Sequence, residues 1–143
     1  YRPLNNKFLN PIMEKIRKKY ICKKQIKKGI SGTKDILKFF KNGISVALMI
    51  DQRVSEGIKC KFFGKDAFTT TIPAQFVKKF NCKIVPVHIE RKIDSNFRIK
   101  IFKPMFFSKN ETIESITLSL NSILEKMIII NPSQWIWTHN RWK

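Results

Sequence analysis

Histidine, cysteine and acidic side chains are scarce in this chain, and each shortage narrows what it can do. Only His88 and His139 can supply an imidazole, and neither sits in a recognisable base motif. The cysteines, Cys22, Cys60 and Cys82, are odd in number, widely spaced and form no Cys-x-x-Cys pair. That argues against a disulfide frame or a zinc site, and for reduced thiols serving as small, partly buried fillers. Long apolar runs are missing too. The longest are Val46–Ile50 and Met127–Ile130, whereas a membrane-spanning helix needs about 20 apolar residues. No signal peptide, internal repeat or low-complexity linker is visible. RNP-like, helix-turn-helix and zinc-finger patterns are absent. No metal and no cofactor is expected. The first residue is Tyr1, not Met, so the sequence reads as processed or as a piece of a longer protein.

Basic residues are abundant instead. Lysine and arginine total 29 against 10 aspartates and glutamates, a formal net charge of +19 over 143 residues. A surplus of that size fits an anionic partner: nucleic acid, an anionic bilayer surface, or an acidic protein and a phosphorylated lipid. Compositional drift is the competing explanation, because Lys, Ile, Asn and Phe are all plentiful, as AT-rich coding DNA produces. The densest cluster comprises Lys15, Arg17, Lys18, Lys19, Lys23, Lys24, Lys27 and Lys28.

Hydrophobic content of 43% is enough for a packed core in one domain or part of one. Ile12, Ile16 and Tyr20 recur at helical spacing and predict a helix over 8–21. A second helix is expected over 34–41, capped by Ser31 or Thr33 and ended by the Asn42-Gly43 turn. The β-branched run 44–50 reads as a buried strand ending at Asp51. Residues 54–65 carry few regular signals and read as a loop. Pro73 opens a helix over 73–80. Residues 83–89 read as a second buried strand interrupted by Pro86, and 97–102 as a half-buried strand. Ser108-Lys109-Asn110-Glu111 fits a capping box opening a long helix to about Ile129. Its apolar stripe is Ile113, Ile116, Leu120, Ile123, Leu124, Met127 and Ile128. Asn131-Pro132 ends it. Alternating strands and helices predict an α/β sheet covered by helices. In such sheets ligands bind beyond the carboxyl ends of strands, where Asp51 falls.

Acyl transfer to a hydroxyl needs a base for the hydroxyl proton and a positive or hydrogen-bonding group for the oxyanion. His88 and Glu90 share one face of a strand, but position 93, where an acid would complete a His-x-x-x-x-acid dyad, is Ile. His88 therefore reads as an ordinary strand residue. His139 reads as a residue that docks the tail.

Several segments nevertheless occur in a telling order. Tyr1-Arg2-Pro3 with Asn5-Asn6 comes first. Asp51-Gln52-Arg53, Phe62-Phe63-Gly64 and Ala67-x-Thr69-Thr70 follow, then Val85-Pro86. Last is the ending Asn131-Pro132-Ser133-Gln134-Trp135-Ile136-Trp137-Thr138-His139-Asn140-Arg141-Trp142-Lys143. Together, over essentially the whole chain, they resemble the late acyltransferases of lipid A biosynthesis.

That resemblance implies a glycerolipid acyltransferase-like αβα fold, of which residues 1–143 would be the C-terminal part. It implies transfer of a fatty acyl chain from acyl carrier protein to a hydroxyacyl group of a lipid A precursor, at the cytoplasmic face of a bacterial inner membrane. The family's His-x-x-x-x-Asp/Glu dyad would lie before Tyr1 and is absent here, so this piece alone is expected to be inactive. Arg17 and Asp51 are the implied catalytic positions, the Asp holding a basic residue or a substrate hydroxyl in place. Arg2, Gln52, Phe62, Phe63 and Gly64 are the implied substrate-binding positions, with the phenylalanines lining an acyl tunnel, dipping into lipid or packing in the core. Partners would be acyl carrier protein, the lipid A precursor and the anionic inner-membrane surface, with no nucleic acid. A sheet without its first strands would expose an unpaired edge. The alternative from another class is a non-enzymatic basic module for nucleic acid or membrane.

Overall fold

The computed structural model describes residues 1–142; Lys143, last in the tail motif, lies outside the described residues. Two compact units divide the chain, Tyr1–Ala47 and Leu48–Lys143.

In the first unit, α1 (Leu9–Tyr20) and α2 (Ile30–Lys41) are the expected helices. The Asn6 side chain starts α1 by accepting from the amides of Phe8 and Leu9 at 2.9 and 3.1 Å. The second helix begins a turn earlier than its capping residues suggest. Gly29, at φ +137°, is its N-cap, and the Thr33 hydroxyl donates back to the Gly29 carbonyl at 3.3 Å instead of capping. Asn42 and Gly43 close α2, Gly43 at φ +74°.

The second unit holds two separate antiparallel pairs: β1 (Ile58–Phe62) with β2 (Lys65–Thr69), and β3 (Val87–Arg91) with β4 (Phe97–Ile101). Helix α3 (Ile72–Phe80) starts with Pro73 in its first turn and ends on Asn81 in the left-handed region. Helix α4 (Ile113–Ile130) is followed by a 3₁₀ turn at Pro132–Gln134.

Four expectations are corrected. The run 44–50 forms no strand: an apolar run supplies faces to bury but no ladder partner, and only Ile50 reaches the core. The supposed loop 54–65 contains β1, which pairs with β2 through Phe62↔Lys65 and Ile58↔Thr69. Its alternation is real, with Cys60 and Phe62 buried and Lys59 and Lys61 outward. The buried strand expected over 83–89 is instead β3 at Val87–Arg91, with Val87 and Ile89 exposed, and Ile84 forms only an isolated bridge to Met105. Finally, β4 is a strand but fully exposed. The α/β class holds: the described residues form mixed helix and small antiparallel sheets, as two separate pairs. Cys22 is likewise exposed, not a filler; all the cysteines are free.

The capping box partly holds. Glu111 reaches back to the Ser108 amide at 2.7 Å, but Thr112 is the N-cap, accepting from the Ser115 amide at 3.1 Å. The α4 stripe is buried or half-buried as expected. One end packs on α3 through Ala74, Val77, Ile116 and Leu120, joined by Ile50, Ile84 and Met105. Each Val, Leu or Ile side chain of this cluster contributes about 1.5–3 kcal/mol when fully buried. The other end, through Ile128 and Leu124, packs on Phe62 and Ala67 of the β1–β2 hairpin. Among the described residues, no helix is long and apolar enough to cross a membrane.

Candidate functional site

In the second unit the site grows from the β1–β2 hairpin. Its two-residue turn is Phe63-Gly64, with φ +48° and +74°, the arrangement that suits a tight right-twisted hairpin. Gly64 adopts this without penalty. Phe63 is held there by its amide, which donates to Glu125 of α4 at 2.6 Å, and by its ring, 4.9 Å from Phe62.

The tail lies on this hairpin. Phe62 has no exposed surface, and its ring centroid lies 5.8 and 5.7 Å from Trp135 and Trp142. The Trp142 indole donates to the Phe62 carbonyl at 3.0 Å. Trp137 stacks on Trp142 and donates to the Pro132 carbonyl at 2.8 Å. Gln134 brackets the outer edge of β3, exchanging hydrogen bonds with both the amide and the carbonyl of Arg91 at 2.8 Å.

This docking carries Arg141 inside, at 1% exposure. Its guanidinium donates to the Phe68 carbonyl and, at 2.8 Å, to the Thr69 hydroxyl. It sits 5.3 Å over the Phe62 ring. Thr69 also accepts from Asn121 of α4 at 3.2 Å, and Asn121 donates to the Lys61 carbonyl at 2.9 Å. Burial pushes the Arg141 guanidinium below its ordinary pKa, and the negative charge of Asp51 is the main influence pushing back. Asp51 is half-buried in a bend, and its Oδ1 is buried without a hydrogen-bond partner. Burial also raises the Cys60 thiol, which keeps it protonated and unreactive.

The first unit has its own cluster. Arg17 lies 4.8 Å over the Tyr1 ring, with Nη1 buried and unpartnered. Glu14 accepts from Lys27 at 3.0 Å and from Asn10 at 2.8 Å. Those contacts, with a hydrogen bond from Tyr1, hold its carboxyl down at about 2. The Tyr1 carbonyl accepts from the Lys28 amide at 2.8 Å. Arg2 is exposed.

The expected site residues thus fall into distinct settings. Arg2 and Arg17 belong to the first unit; Asp51, Gln52, Phe62, Phe63 and Gly64 belong to the second. Asp51 is half-buried, while Gln52 is exposed. Phe62 is core, Phe63 half-buried at the turn, and Gly64 exposed there. His88 faces Lys100 across the β3–β4 pair, and His139 is exposed. Among the described residues no group of three or more His, Cys, Asp or Glu could hold a metal ion.

Sequence reasoning placed Arg141 only as part of the tail and Thr69 only as part of the Ala67-x-Thr69-Thr70 segment, and it missed Asn121. One signal was available: Thr117 and Asn121 are polar residues four apart inside the apolar face of α4, and both are buried. A polar pair on a buried helix face needs partners across the interface.

No curated protein matches the chain. The family model for bacterial lipid A biosynthesis acyltransferases matches residues 1–143. The ordered motifs from Tyr1-Arg2-Pro3 to the tryptophan tail therefore have a common origin, and the chain belongs to the bacterial lipid A biosynthesis acyltransferase family.

Proposed function

We propose that this chain is the C-terminal part of a single acyltransferase domain with a glycerolipid acyltransferase-like αβα fold. That domain moves a fatty acyl group from acyl carrier protein to the hydroxyl of a hydroxyacyl chain on a lipid A precursor. The observation that carries this reading is the family match over residues 1–143.

The chemistry follows from the groups present and the group the family supplies. Neither His88 nor His139 has an acid arranged to make it a general base, so the base is the histidine of an upstream His-x-x-x-x-Asp/Glu dyad. It takes the acceptor hydroxyl proton as that oxygen attacks the thioester carbonyl. The tetrahedral intermediate collapses, the carrier thiol leaves with a proton, and the new ester remains on the lipid. No covalent acyl-enzyme and no metal is required.

Arg17, with one guanidinium nitrogen unpartnered, is suited to a phosphate or carboxylate of the acceptor. Exposed Arg2 and Gln52 add polar contacts. Phe63 is the hairpin residue proposed to meet the acyl chain, while Phe62 and Gly64 shape the hairpin behind it. Asp51 completes the catalytic set.

The enzyme works at the cytoplasmic face of the inner membrane. What supports this is α1, whose Leu9, Ile12 and Ile16 are exposed beside Lys15, Lys18 and Lys19. An anionic surface attracts each nearby Lys or Arg by about 1 kcal/mol. The test is acyl transfer by the protein expressed with its upstream coding region, using acyl-acyl carrier protein and a lipid A precursor. Arg17→Ala and Asp51→Asn are expected each to remove at least about 100-fold of the rate while melting as wild type does. Undiminished transfer by both variants refutes the assignments. Residues 1–143 alone are expected to be inactive.

A non-enzymatic basic module is the alternative, and a salt series separates the two. Binding to anionic vesicles in preference to single-stranded nucleic acid supports the acyltransferase reading. The reverse preference, with a steep salt slope, supports the module.

A further inference from the structure

The alternation of β3 is inverted. Val87 and Ile89 point to solvent, while His88 and Glu90 are half-buried. An antiparallel strand with one covered face ordinarily turns its apolar residues inward. Strand β4 extends the anomaly: Ile101 pairs with Val87, Ile99 with Ile89 and Phe97 with Arg91. Val87, Ile89, Phe97, Ile99 and Ile101 are each at least half exposed, so one whole face of the hairpin is apolar and open. Scattered exposed apolar residues need no explanation, but a contiguous face marks a contact surface.

We propose that the β3–β4 hairpin is a lipid-contact element: its apolar face lies along the acyl-chain boundary of an anionic bilayer, and its basic fringe meets the phosphate headgroups. This inference deepens the membrane placement of the acyltransferase and rests on it, but on no catalytic assignment. Charge selects the occupant. Lys83, Arg91, Lys92, Arg98, Lys100 and Lys103 face only two acids over the same stretch, Glu90 and Asp94, and Glu90 is already bound by Lys92 at 2.7 Å. Each Lys or Arg near an anionic surface adds attraction, and long basic side chains reach the headgroups while their stems cover apolar surface. Arg91 lies 5.3 Å over the Phe97 ring on the open face, a cation on an apolar body as an interface requires. Asp94, at the turn of the hairpin, resists insertion tip first, so the hairpin lies along the surface on its face.

A second copy of the chain fits less well. Strand β4 is an edge of its pair, but antiparallel pairing with its own copy centred on Ile99 sets Arg98 opposite the second copy's Lys100, and Lys100 opposite the second copy's Arg98. Like charges directly opposite destabilise a sheet, and basic edge residues are a usual guard against such pairing. The hairpin is also held in place from behind. Gln134 exchanges hydrogen bonds with the amide and carbonyl of Arg91, which ties β3 to the turn that follows α4 and leaves the apolar face presented outward.

The experiment uses the protein expressed with its upstream coding region, in vesicles of phosphatidylcholine with and without phosphatidylglycerol. Ile99→Trp places an indole on the apolar face and Lys100→Trp places one on the opposite face; wild type corrects for the native tryptophans. With acyl chains brominated near the headgroup, quenching of the added emission is expected to be at least about twofold greater for Ile99→Trp than for Lys100→Trp, as for a face seated at the acyl boundary. It should weaken without phosphatidylglycerol or in high salt. Away from vesicles, Ile99→Thr/Ile101→Thr should melt as wild type does, because both side chains already face solvent and Thr keeps strand propensity. Equal quenching at both positions overturns the proposal. So does a lowered melting temperature for the double variant, which shows the face packed on another part of the enzyme. An Ile99→Trp emission that shifts with acyl carrier protein but not with lipid gives the face to a protein partner and also overturns it. Vesicle binding with no quenching at position 99 refutes the hairpin alone and leaves the membrane placement to α1. No binding of wild type to anionic vesicles refutes both, while acyl transfer is assayed separately.

Discussion

Replacing Phe62 separates a core role from a substrate contact. The ring has no exposed surface. It meets Phe63, Trp135 and Trp142 at 4.9, 5.8 and 5.7 Å, packs against Ala67 and Ile128, and underlies the Arg141 guanidinium at 5.3 Å. Deleting a buried Phe side chain to Ala costs about 3–5 kcal/mol through lost transfer energy and the cavity left behind. A domain of this kind has about 5–15 kcal/mol in total, so Phe62→Ala should lower the melting temperature by about 10–20 °C. Phe62→Leu keeps most of the apolar volume and loses the edge-to-face contacts, for about 1–2 kcal/mol. The assay is urea unfolding followed by tryptophan emission, which reports tail docking because all the tryptophans lie between positions 135 and 142. Phe8→Ala, at a side chain 89% exposed, should stay within about 0.5 kcal/mol of wild type. A loss below about 1 kcal/mol for Phe62→Ala, with unchanged emission, would refute the core assignment. A Phe62→Leu enzyme with wild-type stability and a reduced kcat/KM would instead make Phe62 a substrate contact.

Other consequences are equally open to measurement. The Glu14 carboxyl is depressed from 4.5 to about 2 by Lys27 first, then Asn10 and Tyr1. Its contribution is therefore present above about pH 4.5 and lost as pH falls toward about 2. Carbon-detected NMR of the Glu14 carboxyl should show that low midpoint, and Lys27→Met should move it up; an ordinary midpoint in wild type contradicts the cluster. A Cβ at Gly57 would collide with the Thr69 carbonyl oxygen, which is backbone and cannot swing aside, so Gly57→Ala should cost about 1–3 kcal/mol in urea unfolding. Thr112→Ala removes the cap on the Ser115 amide and should cost about 1 kcal/mol; no change in midpoint would place the start of α4 elsewhere.

What the sequence made legible was what a segment can do with its own backbone. Helices α1, α3 and α4 were readable because helical spacing, Pro73 and Asn131-Pro132 are local signals, and a helix satisfies its hydrogen bonds internally. Strands need a partner. Residues 44–50 had strand composition but meet no ladder, whereas 58–62 had weak composition and pairs through a Phe-Gly turn that is not the usual Asn-Gly signal. The exposure of β4 was unreadable for a related reason. Alternation says which side chains share a face, not whether anything covers it; Ile99 and Ile101 pair with Ile89 and Val87 on a face that remains open. The site divides the same way. Asp51 was singled out by the ordered motifs of the resemblance. The burial of Arg141 was not readable, since the contacts that bury it reach back 73 residues to Phe68.

The charge surplus also changes meaning once placements are known. Drift toward lysine adds positive charge without regard to position, and much of the lysine here is exposed. Five of the ten acids have definite tasks. Glu14 binds Lys27, Asp66 binds Lys61 and Glu90 binds Lys92, while Glu111 and Glu125 hold backbone amides. Those groups cannot neutralise the rest of the surface without abandoning structural contacts, so the net field stays positive for any anionic partner. The arginines are placed more selectively. Arg17, Arg53, Arg91 and Arg141 each sit over an aromatic ring, at 4.8, 5.5, 5.3 and 5.3 Å. A stacked guanidinium keeps its in-plane N–H groups for planar acceptors, which a lysine in the same place does not provide. The stacked arginine positions are where that charge acquires directional chemistry. An Arg→Lys exchange at Arg17 should thus cost rate at constant net charge in the acyl-transfer assay, whereas Lys→Arg at exposed positions should be neutral.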